Sequence, residues 1–331
     1  MSKALPTVVD PHSLVGSEME RAERLIFEAC ASQVAAVSLA AAHVMRAGGK
    51  RLRPLVLLLC AKACGCDEAD RTARLGAAVE LVHTATLVHD DVVDEADRRR
   101  GQYAVNTFFG NEASVLMGDY LVCCGLRMIS DEPDPRLMRS ICDVIVSMCE
   151  AEVLQITFRG DLDNTFENYL KVIRNKTARL FSFTAMAGGM LAGASQPVLE
   201  SLADFGMNLG LAFQIVDDIL DLTGDEQALG KPIAADLREG KFTYPILHAI
   251  GESCGEQRLY LASLLGDPSV LDEDGLDSVI EIVRGSGGFQ AAYECASQYA
   301  HKASAVLLAL PESPAREALF TVVSQVIERR F

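Results

Sequence analysis

Two short segments of the chain carry three aspartates each, in the spacing Asp-Asp-x-x-Asp. They are Asp90, Asp91 and Asp94 in LVHDDVVD, and Asp217, Asp218 and Asp221 in QIVDDILD. On a helix, the first and third aspartates of each segment stand one turn apart on a shared face. The flanking residues are apolar, and carboxylates in a segment that is being buried need a counter-cation. We therefore predict two acidic helix ends that bind metal and face one another across the fold.

Carboxylate ligands without cysteine or suitably spaced histidine indicate a hard cation, and Mg²⁺ is the expected one. Mg²⁺ binds through one or two carboxylates and keeps its other positions for water and phosphate oxygens. A phosphate or diphosphate ligand in turn needs Arg and Lys nearby. The chain has such residues beside apolar segments: Arg98, Arg99 and Arg100 after the first motif, Lys231 and Lys241 after the second, Lys50, Arg51 and Arg53 in GGKRLRP, and Lys176 with Thr177 in KTARLF.

The elements that must position these residues are helices. Apolar residues recur at i, i+3 and i+4 over long runs, including Met19 to His43, Asp70 to Asp94 and Pro197 to Asp221, which is typical of buried α-helices. Gly, Pro and Asp clusters separate the runs, and no strand–Gly-loop–helix unit occurs. We predict one all-α domain over residues 1–331, a bundle of roughly ten or more helices around a central apolar cavity.

Composition excludes several classes of protein. The net charge is −16 and no basic face is apparent, which disfavours a nucleic-acid binder. The sequence has no uncharged apolar run of membrane-spanning length and no secretory leader at its start, so we expect a protein that does not span a membrane. None of the ten cysteines has CxxC spacing, which favours reduced, buried thiols in a cytoplasmic protein.

Four segments taken together resemble one protein family. GGKRLRP, LVHDDVVD followed by RRG, KTARLF, and QIVDDILD followed by GK resemble the trans-isoprenyl diphosphate synthases (polyprenyl synthetases), in order from about Ala41 to about Leu247. HTATLVHDDVVDEAD and AEVLQITFRGD look most like the long-chain octaprenyl and solanesyl branch. The resemblance implies the isoprenoid synthase fold and a homodimer. It also implies head-to-tail condensation of isopentenyl diphosphate with an allylic diphosphate primer to a medium- to long-chain all-trans polyprenyl diphosphate, octaprenyl-like, for a quinone side chain.

The resemblance also implies a role for each matching residue. Both aspartate motifs would hold Mg²⁺, about three ions per site, and the six aspartates with Lys176 and Lys231 would be the catalytic set. The allylic diphosphate would be bound by Arg99, Lys176, Thr177, Gln214, Lys231 and Lys241. Isopentenyl diphosphate would be bound by Lys50, Arg53, His83 and Arg100. In this family the departing diphosphate is thought to accept the proton, so no side-chain base is implied.

Product length is expected to depend on the helix that leads to the first motif. Ala85 and Thr86 lie five and four residues before Asp90, and both are small. Bulky aromatic residues at these places stop chain growth in short-chain members of the family, so their absence favours a longer product. Candidates for the residue that finally stops growth lie deeper, and they are Met117, Leu121 and Met148.

Four other interpretations stay open. A shorter-chain synthase making farnesyl or geranylgeranyl diphosphate differs only in product length. A terpene cyclase shares the fold but lacks a second prenyl acceptor, so a second intact motif and GGKRLRP argue against it. His89-Asp90 is an HD pair of the kind found in metal phosphohydrolases, which need further histidine ligands. A non-catalytic subunit of a heteromeric synthase would carry one degraded motif, and neither motif is degraded here.

Overall fold

The computed structural model describes residues 9–46, 48–99, 101–224, 233–267 and 271–328, and most of them are helical. Within these ranges the β structure is limited to one antiparallel hairpin, β1 (Arg98–Arg99) with β2 (Gln102–Tyr103). The prediction of an all-α fold is therefore confirmed. That residues 1–331 form a single domain stays a prediction.

The helices follow one another along the whole described chain, and a π-helical turn, Arg174–Ala178, joins the seventh to the eighth. In chain order they are α1 (Pro11–Ala29), α2 (Ala35–Arg46), α3 (Leu52–Ala63), α4 (Ala69–Val93), α5 (Val105–Ser130), α6 (Pro135–Thr157), α7 (Phe166–Ile173), α8 (Arg179–Leu191), α9 (Gln196–Thr223), α10 (Ala235–Arg238), α11 (Tyr244–Glu252), α12 (Gly255–Leu265), α13 (Glu273–Gly285), α14 (Gly288–Leu307) and α15 (Pro314–Ile327).

The apolar run from Met19 to His43 is two helices rather than one. α1 ends at Ala29 and α2 begins at Ala35. Between them, the Ser38 hydroxyl accepts a hydrogen bond from the Ser32 N–H at 3.1 Å and donates to the Ser32 carbonyl at 2.9 Å. Serine side chains that bond to nearby backbone groups compete with helical hydrogen bonds, and this pair stabilises the break.

Three apolar clusters hold the bundle together. The first mainly joins α1, α2, α4, α5, α6 and α8, the second joins α3, α9, α14 and α15, and the third joins α9 to α11, α12, α13 and α14. α4 and α9 carry the two aspartate motifs, and α8 packs against both of them. The ends of α4 and α9 are therefore held by buried packing along most of each helix.

α5 is long and apolar enough to cross a membrane, and among the described helices it is alone in passing that test. The structure buries 44% of its most apolar stretch, chiefly against α4. The two helices approach closely at Gly125, where a β-carbon would lie 2.8 Å from the carbonyl oxygen of Ala78. Core helices of globular proteins have the same length and composition, so this test alone does not indicate a membrane span.

Candidate active site

The first aspartate motif forms the carboxyl end of α4. Asp94 caps the helix with its N–H, which donates to the Asp90 carbonyl at 2.8 Å, and Glu95 then leaves the helix with a φ of 51°. The side-chain amide of Asn106, on α5, donates to the Asp91 carbonyl at 3.1 Å. The helix end is thus held by neighbouring backbone and side-chain groups, which fixes the position of the three carboxylates.

Two carboxylates of this motif contact cationic side chains. Asp91 is only 3% exposed, and its Oδ1 accepts a hydrogen bond from the Nε of Arg99 at 2.5 Å. Asp94 accepts from Nη2 of Arg159 at Oδ1 and from Nζ of Lys241 at Oδ2, each at 2.7 Å. Charge-assisted hydrogen bonds of this kind are short and strong. Because one cation binds each oxygen of Asp94, the plane of its carboxylate is fixed.

Arg159 and Lys241 come from two turns that are bonded to one another. The Gly160 N–H donates to the Gly240 carbonyl at 2.9 Å, and the two glycines have φ angles of 70° and 75°. Lys241 also pairs with Glu239 at 2.6 Å. Burial by itself lowers the pKa of Lys241, but the neighbouring carboxylates outweigh burial and raise it above its ordinary value. Lys241 is therefore a permanently charged part of the site.

Lys176 lies on the π-helical turn between α7 and α8. Its ammonium forms an ion pair with Glu152 and donates to Oε1 of Gln155 at 3.0 Å, both on α6, and it lies 3.7 Å from Oδ2 of Asp90. Burial raises the pKa of Asp90, an effect that Lys176 opposes and Glu152 reinforces. π-Helical turns are frequent at functional sites, and here the turn brings one ammonium to acids from two helices.

Thr177, the next residue on the turn, begins a series of hydrogen bonds to the second motif. Its hydroxyl donates to Oε1 of Gln214 at 2.7 Å, and Nε2 of Gln214 donates to Oδ1 of Asp218 at 2.8 Å. The Tyr169 hydroxyl donates to the other oxygen of Asp218 at 2.6 Å. This close approach needs Gly210, since a β-carbon there would lie 2.6 Å from the Cα of the last residue of the turn.

The three aspartates of the second motif differ in exposure. Asp217 is exposed, whereas Asp218 and Asp221 are 3% and 2% exposed. Asp221 accepts hydrogen bonds from the N–H groups of Asp236 and Ala234, at its carboxylate and its carbonyl respectively. Burial, followed by the charge of the nearby Asp236, raises the pKa of Asp218 well above its usual range. Acids with strongly perturbed pKa values in a cleft are candidate functional groups.

The two motifs are linked twice across the bundle. One link passes through the π-helical turn, from Asp90 to Asp218. The other passes through Lys241, whose side chain contacts the first motif and whose N–H donates to the carbonyl of Asp236, beside the second motif, at 2.8 Å. A cavity of about 110 Å³ lies between these links. Its lining combines polar and apolar residues, among them Lys176, Gln214, Lys241, Val172, Ile173 and Phe242.

The residues predicted to bind the second diphosphate lie before and within α3 and on α4. Lys50 precedes α3 and is exposed, whereas Arg53 is 8% exposed and its guanidinium lies 4.6 Å from the centre of the Phe181 ring. His83 is half-buried on α4, two turns before the first aspartate motif. Arg100 lies outside the described residues, as does Lys231. Lys50 therefore lies just before the start of the buried helix α3, and Arg53 lies in its first turn.

The two residues predicted to influence product length differ in their surroundings. Ala85 is fully buried, whereas Thr86 is half-buried and its hydroxyl donates to the His83 carbonyl at 2.7 Å. The deeper candidates, Met117, Leu121 and Met148, are buried in the same apolar cluster as Ala85. Of the two small residues, Thr86 therefore has the more accessible side chain.

Sequence reasoning missed several residues that contact the predicted ones. They are Glu152 and Gln155 on α6, Arg159 in the turn after it, Tyr169 on α7, and Asp236 with Glu239 before Lys241. Glu152 and Gln155 had a signal that could have been used, because two polar residues three apart interrupt an apolar helix on one face. Tyr169 had none, since a tyrosine in an amphipathic helix is usually a packing residue.

Left-handed backbone conformations of residues other than glycine also concentrate here. Arg51, Glu95 and Ala234 are the three such residues in the described ranges. Arg51 stands between the other two cations of GGKRLRP, Glu95 follows the first motif, and the Ala234 N–H bonds to the second motif. Strained conformations of this kind persist where the surrounding structure imposes them and cluster at functional sites.

The His89-Asp90 pair lacks the surroundings of a metal phosphohydrolase. The Nε2 atom of His89 lies 3.0 Å from the carbonyl oxygen of Val115 and 3.5 Å from Oδ1 of Asp119, both on α5. Over the part of the chain that the structure describes, no three His, Cys, Asp or Glu side chains are already gathered as a metal cage. Asp91 and Asp94 instead contact cations, and Asp218 accepts hydrogen bonds from an amide and a hydroxyl.

Comparison with known proteins agrees with this geometry. Residues 34–283 match the family model for polyprenyl synthetase. An octaprenyl diphosphate synthase from Escherichia coli (strain K12) is 36% identical over 318 residues, which is 96% of this chain and 98% of the relative. A geranylgeranyl diphosphate synthase from Saccharolobus solfataricus is 37% identical over 297 residues, covering 87% of this chain and 89% of the relative.

The fold is also shared with a solved structure. The crystal structure of a polyprenyl synthase from Caulobacter crescentus CB15, complexed with calcium and isoprenyl diphosphate, matches with a TM-score of 0.94 and 37% identity, covering 100% of both chains. Family, relatives and fold agree over nearly the full length. The chain therefore belongs to the polyprenyl synthetase family, and it is a trans-prenyltransferase with the all-α isoprenoid synthase fold.

Proposed function

We propose that this chain is a Mg²⁺-dependent prenyltransferase that condenses isopentenyl diphosphate head-to-tail with an allylic diphosphate. Its product is a medium- to long-chain all-trans polyprenyl diphosphate, octaprenyl-like, that supplies a quinone side chain. One observation carries the proposal. Two aspartate motifs, at the ends of α4 and α9, are joined by the same two lysine-bearing segments, and both lysines line one cavity.

The aspartates of the two motifs fit a divalent cation. Every candidate ligand is a carboxylate, the donor that Mg²⁺ prefers: Asp90, Asp91, Asp94, Asp217, Asp218 and Asp221. Burial and neighbouring acids raise the pKa values of Asp90 and Asp218, and a bound cation would favour their ionised forms. We expect about three Mg²⁺ ions per site, and the metal, when bound, would stabilise charge on the leaving diphosphate. The Caulobacter polyprenyl synthase complexed with calcium supports the use of a divalent cation.

The cations and polar side chains near the two aspartate motifs suit the allylic diphosphate. Arg99, Lys176 and Lys241 are charged donors, and Thr177 and Gln214 are neutral residues that are hydrogen-bonded to one another. Lys231, outside the described residues, belongs to this set in our proposal. Donors fixed before the substrate arrives stabilise developing charge without reorganisation. Lys176 and Lys231 join the six aspartates as the catalytic set.

The second substrate needs a separate group of cations. We assign Lys50, Arg53 and His83 to the diphosphate of isopentenyl diphosphate, with Arg100 from outside the described residues. The carbon–carbon bond forms when the double bond of isopentenyl diphosphate attacks the allylic cation. The departing diphosphate then accepts the proton, so no side-chain base is required. Val172, Ile173 and Phe242 line the cavity and would exclude the water that quenches such a cation.

We assign product length to the side chains along α4, α5 and α6. Ala85 and Thr86 are too small to close the path of a growing tail below the first motif. Met117, Leu121 and Met148 lie deeper in the same apolar cluster, and one of them would end growth. The alternative is a shorter product such as farnesyl or geranylgeranyl diphosphate.

We propose a cytoplasmic homodimer that neither spans a membrane nor binds nucleic acid. We assign one contact of the dimer to the apolar face of α5, where Leu116 is 67% exposed. α6 presents a second apolar stripe at spacings of four and three residues, with side chains that are all exposed: Cys142, Val146, Cys149, Val153 and Ile156. Such a stripe suits packing against the same helices of a second copy.

Radiolabelled isopentenyl diphosphate, offered with each allylic primer and Mg²⁺, tests the function directly. We expect incorporation into products that chromatography sizes at or near octaprenyl diphosphate. Omission of Mg²⁺ should abolish it. Release of hydrocarbon from the allylic diphosphate alone would instead indicate a cyclase, and products of farnesyl or geranylgeranyl length would select the shorter-chain alternative.

A further inference from the structure

Arg51 has an unusual position between two predicted ligands of isopentenyl diphosphate. It separates Lys50 from the Leu52-Arg53 start of α3, and it adopts a left-handed conformation with a φ of 45°. Left-handed backbone is costly for a residue with a β-carbon. Yet Arg51 is only 8% exposed. Its side chain therefore turns into the protein at the point where its neighbours would reach a diphosphate.

Three helices hold the Arg51 guanidinium. Nη1 donates to Oε1 of Glu80, on α4, at 2.9 Å, and Nη2 contacts the carbonyl of Met45, near the end of α2, at 3.4 Å. Nε lies 3.8 Å from Oε1 of Glu23, on α1. A planar guanidinium makes several directed contacts at once, so the side chain joins α1, α2 and α4 to the start of α3.

Glu80 is a buried acid that the proposed reaction does not use. It is 3% exposed, and its Oε2 has no hydrogen-bond partner within the described ranges. His83 lies three residues later, so the two side chains lie near one face of α4. Burying an ion pair often gives no net stability over an apolar pair of the same size. A reason for keeping the pair here is therefore geometric.

We propose that the Arg51–Glu80 ion pair positions the isopentenyl diphosphate subsite. The pair ties the segment that carries Lys50 and Arg53 to the helix that carries His83, and it fixes the distance between them. Arg51 and Glu80 are positioning residues that do not touch substrate. This inference rests on the proposed function, because it takes those three residues as the acceptor-diphosphate ligands.

Glu80→Gln and Arg51→Lys test the pair with little change in volume. In Glu80→Gln the side chain keeps a neutral acceptor. In Arg51→Lys the charge is kept, but the planar guanidinium that contacts both Glu80 and the Met45 carbonyl is lost. We expect KM for isopentenyl diphosphate to rise about 10- to 100-fold in each variant, because small misplacements of binding groups have effects of that size. KM for the allylic primer should stay within about twofold, since its ligands lie on other segments.

Glu132→Gln is the matched control. Glu132 is also a buried acid, with a side chain 5% exposed, and it pairs with Arg71, at the opposite end of α4, at 2.7 Å. Glu132→Gln should lower thermal stability about as much as Glu80→Gln does, and it should leave both KM values unchanged. The double variant Arg51→Met with Glu80→Met removes both charges together. It should recover thermal stability, as charge-free replacements of buried pairs do, while KM for isopentenyl diphosphate stays high.

Calorimetric binding of isopentenyl diphosphate to each variant separates this inference from the proposed function. If wild-type protein binds isopentenyl diphosphate but does not condense it, the function is wrong and the binding constants of the variants still decide on the pair. The inference is overturned if Glu80→Gln and Arg51→Lys bind like wild type. It is equally overturned if the double variant restores binding together with stability, because the pair would then be purely structural.

Discussion

The ammonium of Lys241 lies 2.7 Å from Oδ2 of Asp94, a residue 147 positions earlier in the chain. Arg159 holds the other oxygen of the same carboxylate at 2.7 Å. The two hydrogen-bonded turns therefore place one cation beside each carboxylate oxygen of Asp94. Each carboxylate oxygen keeps further lone-pair capacity, so the two cations can orient Asp94 while it binds a metal.

Arg159→Gln should weaken binding of the allylic diphosphate about tenfold, since a charged hydrogen bond on a partly buried group has about that worth. The reason is that Asp94 loses one of the two contacts that set its plane. The measurement is calorimetric titration with the allylic primer and Mg²⁺. Arg136→Gln serves as the control, because Arg136 pairs with Asp134 at the other end of α6 and is exposed. Equal affinities of the two variants for the allylic primer would show that Arg159 does not contribute to its binding.

Asp90→Ala and Asp217→Ala should each lower turnover by about three orders of magnitude or more while the fold survives. Each removes one candidate metal ligand at a helix end, where few packing contacts are lost. Turnover is measured with radiolabelled isopentenyl diphosphate, and folding by circular dichroism. Asp204→Ala removes another exposed acid of α9, outside the site, and should be fully active. Near-normal turnover in either motif variant would refute the metal assignment.

Thr86→Phe should shorten the product, because a ring at this half-buried position would close the path of the tail below the first motif. Products are sized by reversed-phase chromatography after exhaustive extension. Thr86→Val keeps the volume and should leave the length distribution unchanged. Ala85→Phe should also shorten the product, but Ala85 is fully buried and an added ring costs about 1–3 kcal/mol by overpacking. An unchanged distribution in Thr86→Phe would mean that the tail runs elsewhere.

Thiol labelling should reveal the proposed dimer. Cys123 on α5, Cys142 and Cys149 on α6, and Cys254 before α12 are exposed in the single chain. In a dimer formed through α5 and α6, Cys254 should react rapidly with iodoacetamide while the other three are protected. Peptide mass spectrometry measures each rate. Equal reactivity of all four would place the contact elsewhere or exclude it.

The buried Cys30 serves as an internal control for the labelling. Burial raises the pKa of Cys30 to about 12, so at about pH 8 almost none of it is thiolate and it should react slowly in either assembly state.

Val153→Glu places a charge in the α6 stripe, where Val153 is 63% exposed. This variant should elute as a monomer in size-exclusion chromatography and expose Cys142 and Cys149 to labelling.

Stability without metal should depend on pH through Asp218. Its folded pKa is raised by burial and by Asp236 above the ordinary 3.8, so its contribution is fully present below that value. The contribution is lost as pH rises through the folded pKa, because the unfolded chain releases the proton first. Asp218→Asn removes this dependence. The melting temperature of the variant relative to wild type, measured in EDTA, should increase from about pH 4 to about pH 8. A difference that is flat with pH would contradict the assigned shift.

Local pattern in the sequence was sufficient for the fold class and for the position of the two aspartate motifs at helix ends. The 3.6-residue periodicity predicts helices such as α4 and α9, and the aspartate motifs fall at their ends because polar residues there interrupt an apolar face. The break between α1 and α2 was missed, since the run from Met19 to His43 stays largely apolar. The tertiary structure shows the break, which the hydrogen bonds between Ser32 and Ser38 stabilise.

The sequence by itself determined which chemical groups this protein carries and that helices present them, because both follow from residues close together in the chain. Only the tertiary structure decided their partners: that Arg159 and Lys241 share Asp94, that Asp218 is buried while Asp217 is exposed, and that Arg51 turns inward to Glu80. Such pairs join helices far apart in sequence. Their selection depends on how buried faces pack, and packing leaves no local signal in the spacing of residues.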